Sequence, residues 1–174
     1  QLIGTMYHVP AGSHPDFAAL NVLTEILGAN STGRLHKGLV EAQLASRAFG
    51  FNFQWQEPGV ALFMAQVDKD ADLSTAEMAL INVLENIAKQ PITQNEVERA
   101  KRTLIKGIEL GFNSSESIAL NLSEWIGMGD WRLLFLNRDR IEQVTIEDVQ
   151  KVAIHYLTRN NRTLGRFIPT DKPE

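Results

Sequence analysis

The chain has no cysteine among its 174 residues, which excludes disulfide staples and thiolate metal sites but leaves the compartment open. No apolar run approaches the roughly 20 residues that a membrane-spanning helix needs, so a membrane is not an expected partner. Positive charge is also scarce: 17 Lys and Arg stand against 21 Asp and Glu. The short run Arg99-Ala100-Lys101-Arg102 is too small to supply the accumulated cationic surface that phosphate contacts require, so nucleic acid is not expected either. A start methionine and a basic-then-apolar leader are missing too. The chain opens at Gln1 on a strand-like run, and the expectation is a piece excised from a larger polypeptide. With 44% hydrophobic and 22% charged residues it has the makings of one ordinary globular domain over 1–174.

Periodicity supplies the elements. Leu2 to Val9 alternates, with Met6 and His8 on one side and Tyr7 and Val9 on the other, as in a strand. Pro15 and Asp16 open a helix whose apolar residues recur from Phe17 to Leu27 and stop at Gly28; Leu35, Leu39 and Val40 mark a second, short one. From Arg47 the period becomes two, with Phe49, Phe51, Phe53 and Trp55 on one side. Glu57-Pro58-Gly59 turns the chain and Val60 to Val67 returns, predicting an antiparallel hairpin at the centre of the sheet. Helices follow over Leu73 to Ile87, from the capping box of Thr93 and Glu96 through Ile108, around Ala119 to Trp125, around Trp131 to Leu136, and from Thr145 to Leu157. Arg162 to Ile168 reads as a closing strand before the polar tail Asp171 to Glu174. The order predicts an α+β domain, a two-layer sandwich with helices packed on one face of a mainly antiparallel sheet.

Chemistry is harder to find. A helical zinc site of the metallopeptidase kind needs two histidines on one face with a glutamate beside them. The histidines are His8, His14, His36 and His155, and none has another four residues away. His36 reads as an exposed helical position and His155 as a partly buried one near Tyr156. Gly33 to Gly38 has half the spacing of a phosphate loop, yet Leu39 stands where the lysine is needed. Gly107 and Gly111 suggest close helix packing. The aromatic run of Phe49, Phe51, Phe53 and Trp55 lacks interleaved basic residues, so core packing is a stronger reading than a base-stacking platform. No catalytic, cofactor-binding or metal-binding residue is assigned.

Three stretches together resemble the pitrilysin/insulinase family of zinc metallopeptidases, the inverted zincins. "YHVPAGSHPDFAALNVLTEILGANSTGRLHKGLVEAQLAS" resembles the start of a non-catalytic domain, "PITQNEVERAKRTL" the beginning of a characteristic helix, and "GDWRLLFLNRDRIEQVTIEDVQKVAIHYLTRNNRTLGRFIPTDKPE" the end of the bacterial second domain. The resemblance implies a clamshell of homologous α+β domains, one of which carries H-x-x-E-H and a distant glutamate for zinc, closing on unfolded peptide. This chain has no counterpart of those ligands. In the family's final domain the stretch around Glu41 resembles R-E-x-x-G-x-x-Y, whose arginine and tyrosine help to stabilise an oxyanion. Here Val40 stands in the arginine's place and Ser46 falls near the tyrosine's, which favours the inert second domain and structural packing for "GRLHKGLVEAQLAS".

The implied function is that of scaffold and chamber wall in a bacterial, periplasmic zinc metalloendopeptidase. Its partners would be a zinc-binding catalytic domain of the same polypeptide, or a partner subunit, and the peptide substrate. The alternative is a non-enzymatic family member serving as an assembly or binding subunit. Edge strands invite pairing with an extended peptide, so Leu2 to Val9 or Val60 to Val67 is expected to line the chamber. Exposed apolar area on the helical layer is expected to mark contact with a neighbouring domain.

Overall fold

In the computed structural model, which describes residues 1–170, the first and last strands meet. The elements run β1 (Leu2–Val9), α1 (Asp16–Gly28), a π-helical turn (His36–Val40), β2 (Arg47–Asn52), β3 (Gly59–Gln66), α2 (Leu73–Glu85), α3 (Gln94–Leu110), α4 (Ser115–Gly127), α5 (Leu133–Gln143), α6 (Ile146–Tyr156) and β4 (Arg162–Phe167). The sheet order is β2-β3-β1-β4, antiparallel throughout, and the helices lie against one face, an α+β arrangement. The hairpin forms as its alternation requires, but it is not central. β1 and β3 fill the middle because β4 adds to the far side of β1, so Leu2 to Val9 and Val60 to Val67 are not the edges; β2 and β4 are. The tail Asp171 to Glu174 lies outside the described residues.

Strand alternation fixes which side chains go under the helices. Ile3, Thr5, Tyr7 and Val9 of β1 are buried, as are Ala61, Phe63 and Ala65 of β3 and Ala48 of β2. Against them lies α1, buried nearly all round from Phe17 to Leu27 because α3, α5 and α6 enclose its other sides. Its last turn reaches the sheet through a pair of glycines: a Cβ on Gly28 would stand 2.4 Å from the backbone N of Gly50.

Caps set the helix starts. Asp72 accepts from the amides of Ser74 and Thr75, the Thr93–Glu96 capping box forms, and a second box joins Thr145 to Asp148. The expected helix at Leu35 to Val40 is a single π turn. It is closed by Leu44 N–H on the Leu39 carbonyl and by Gln43 at φ 58°, a left-handed conformation usually left to glycine. Gly107 departs from expectation as well. Nothing lies within 4 Å of where its Cβ would be, so it borders open space instead of a close helix contact.

Polar clamps tie the layers. The Tyr7 hydroxyl donates to Glu85 Oε1 at 2.9 Å, and Arg162 reaches the same carboxylate. Burial, and next the neighbouring Glu85 carboxylate, hold the Tyr7 phenol well above its usual titration range. Arg166 pairs with the buried Glu77, so β4 is fastened to α2 at two points.

Candidate functional site

The helix-free face of the sheet is as apolar as the covered one. Register sets its rows: Phe51, Leu62 and Met6 stand side by side across β2, β3 and β1, with Phe49 beside Met64 in the next row. Met6 is 44% exposed, Phe51 39% and Trp55 51%, while Phe49, Leu62 and Met64 are half-buried by one another. Phe49, Phe51, Phe53 and Trp55 form a continuous aromatic ladder, with successive centroids 6.3, 4.9 and 5.3 Å apart. Arg47 sits at its end, 5.0 Å from the centre of the Phe49 ring. The core-packing expectation for this run is therefore wrong. The small partners Ala48, Gly50 and Asn52 turn toward α1, because only they fit beside its glycine contact, and that sends the rings outward.

Beside this ladder runs an unpaired edge. Phe53 N–H donates to Val60 O at 2.9 Å. By antiparallel alternation, the pairs Phe51/Leu62 and Phe49/Met64 then hold the ladder bonds, leaving the backbone of Gly50 and Asn52 half-buried on the side with no strand, while Ala48 on the same side is covered at 2% exposure. The Asn52 side chain is itself anchored, donating to Asn21 Oδ1 and accepting from Thr24, each at 2.9 Å. A face of aromatic and methionine side chains next to a partly open strand edge can take an extended chain without regard to its sequence, since edge bonds read backbone and soft side chains adapt.

The stretch from Gly33 to Ser46 does other work. Arg34 makes a bidentate pair with Glu96, both bonds 2.8 Å, and donates to the carbonyls of Gln90 and Pro91. Burial pushes the Glu96 carboxyl up, but the Arg34 guanidinium and the amide and hydroxyl of Thr93 outweigh it and bring it to about 2. The π turn is thereby pinned to the start of α3. Val40 ends that turn, and Ser46 caps the start of β2 on the Gln66 carbonyl.

The residues present do not suit a zinc ion. Among the described residues no three His, Cys, Asp or Glu side chains are grouped to hold a metal. His8 is exposed on the open face, and His14 Nδ1 accepts from the Asp16 amide. The two remaining histidines exchange their expected places. His36 is half-buried in the π turn, and His155 is exposed with its ring edge-on to Tyr156 at 4.5 Å. No helix among the described residues is long and apolar enough to cross a membrane.

With this geometry in view, the family model described as "Peptidase M16 inactive domain" matches residues 3–104. The chain belongs to the peptidase M16 family. Its inactive-domain character agrees with a solved relative, the inactive peptidase domain of a candidate zinc protease from Bordetella parapertussis. That structure is 42% identical, with a TM-score of 0.92, over 99% of this chain and 92% of that one. Zinc protease PqqE of Helicobacter pylori is 28% identical over 158 residues, 90% of this chain but 36% of that protein, so the M16 domain spans about a third of such a relative. A chain of complex III from Candida albicans shares the fold alone, at 15% identity and a TM-score of 0.78 over 94% of this chain and 41% of that one.

Proposed function

We propose that this M16 domain is a non-catalytic wall of a peptide-holding chamber. Zinc would be bound by a homologous domain elsewhere in the same polypeptide or in a partner subunit. The observation that carries the reading is the open sheet face. A sheet in water ordinarily hides one face and makes the other polar, whereas here the exposed side carries Phe49, Phe51, Leu62, Met64 and Met6. Apolar surface of that extent is kept for a ligand or a partner. The adjoining edge of β2 supports an extended peptide as that ligand, in place of the strands expected from the sequence. Exposed Leu120, Ile126, Trp131 and Leu136 on the helical layer fit contact with a neighbouring domain. Export to the periplasm of a bacterial cell belongs to the same proposal.

The test uses the full-length parent protein. Phe51→Asp lowers kcat/KM for an unstructured peptide at least about tenfold, the loss of roughly one buried apolar contact, while Met78→Asp on the exposed side of α2 leaves it unchanged. Chelator-sensitive hydrolysis by the 174-residue chain alone would overturn the reading. A parent frame and partner without H-x-x-E-H would move it to a non-enzymatic assembly subunit.

A further inference from the structure

A second concavity lies on the other layer, away from the open sheet face. Three helices each turn one side to it: Leu104, Gly107 and Ile108 from α3, Asn121, Glu124 and Trp125 from α4, and Leu134, Asn137 and Ile141 from α5. Gln54 closes it from the loop after β2. Its volume is about 420 Å³, within the range of small-molecule pockets.

Two polar groups there are unaccounted for. Asn137 is 8% exposed and its side chain makes no hydrogen bond among the described residues, although asparagine is a poor choice for a helix interior. The Gln54 Nε2 is fully buried with no partner. Leaving the Gln54 amide nitrogen unpaired is costly, whereas the Asn137 carboxamide, on a residue that lines the cavity, keeps some access. Gly107 adds an independent sign. It sits inside α3, where glycine is unfavourable, and a Cβ there would meet nothing within 4 Å, so the helix omits a side chain where the concavity lies.

We propose that this cavity binds a small primary amine that also carries an amide and a branched aliphatic group. The carboxamide of Asn137 offers by itself the donor and acceptor pair that an amide matches, while the Gln54 amide nitrogen is turned into the wall beside Gly12. Glu124 is the one charged side chain lining the cavity among the described residues, so an ammonium is favoured while a carboxylate or phosphate finds no cation. Leu104, Ile108, Leu134 and Ile141 accommodate the aliphatic part.

The test is a titration of the isotopically labelled chain with L-leucinamide at about pH 6.5, where its amine is protonated, followed through the side-chain amide signals of Asn137 and Gln54. Saturable shifts are expected. Asn137→Ala should weaken binding about tenfold, and L-leucine should bind at least about tenfold more weakly because its carboxylate finds no cation in the cavity. Gly107→Leu, whose side chain grows into the cavity, should abolish the shifts while raising the thermal midpoint, which separates blocking from unfolding. Shifts that do not saturate, or that survive Gly107→Leu, overturn the site. Equal binding by 3-methylbutylamine overturns the role of the Asn137 carboxamide. Equal binding by Leu-Gly-Gly amide overturns the assignment to a small molecule and gives the cavity to the first residue of a peptide.

Discussion

The two faces of this sheet are made by alternate residues of the same strands, and both are apolar, yet one is sealed and the other is open. Tyr7 and Phe63 are fully buried under α1 and its neighbours, while Met6 and Leu62, one residue along each strand, face outward. On β2 and its neighbours, what separates the faces is mostly side-chain size. The covered face uses Ala48, Gly50, Ala61 and Ala65 to let helices approach, and the open face carries the large Phe49, Phe51, Leu62 and Met64, which shield one another. Small residues mark where backbone meets backbone. Large adaptable ones mark a surface that waits for something else.

That contrast can be broken in graded steps. Phe63→Ala removes a ring from the sealed side, and urea unfolding should show a loss of about 3–5 kcal/mol. The covering layer also depends on charge. Glu96 titrates below its unfolded value, so the clasp with Arg34 contributes fully above about pH 4.5 and fades as pH falls toward about 2. Allowing for partial solvent screening, about 2 kcal/mol should disappear over that window in wild type and not in Glu96→Gln. Tyr7→Phe keeps the packing but leaves Glu85 without its phenol, expected to cost about 1 kcal/mol in the same assay. Phe51→Ser on the open face, where the half-covered ring lies against Phe49, Phe53 and Leu62, should cost about 1 kcal/mol or less, while under the proposal the same change lowers peptide use in the parent. A loss at Phe51 as large as that at Phe63 would show that the two faces do not differ as described.

Much of the fold was legible because its signals are local. The alternation of Leu2 to Val9, the turn at Glu57-Pro58-Gly59 and the box of Thr93 and Glu96 each depend on residues within a few positions of one another. The aromatic ladder was misread because alternation says that two sets of side chains part company, not which set is covered. When both sets are apolar, helix coverage decides, and that depends on the approach of Gly28 to Gly50 across 22 residues of chain. The edges were misplaced for a related reason. Strand order turns on β4 joining β1 from the opposite end of the molecule, a pairing that no local pattern announces. Gly107 misled because a small residue in a helix serves close packing and open space equally well until the neighbours are known.

By itself, then, the sequence determined the elements, their α+β order and the lack of any histidine pair spaced as helical zinc ligands, since each follows from residue type and short-range spacing. The tertiary structure decided which strands became edges and which apolar face stayed open. It also decided where Asn137, Gln54 and Gly107 came to border one cavity. Those outcomes rest on contacts between distant segments, whose energies exist only once the chain has closed on itself.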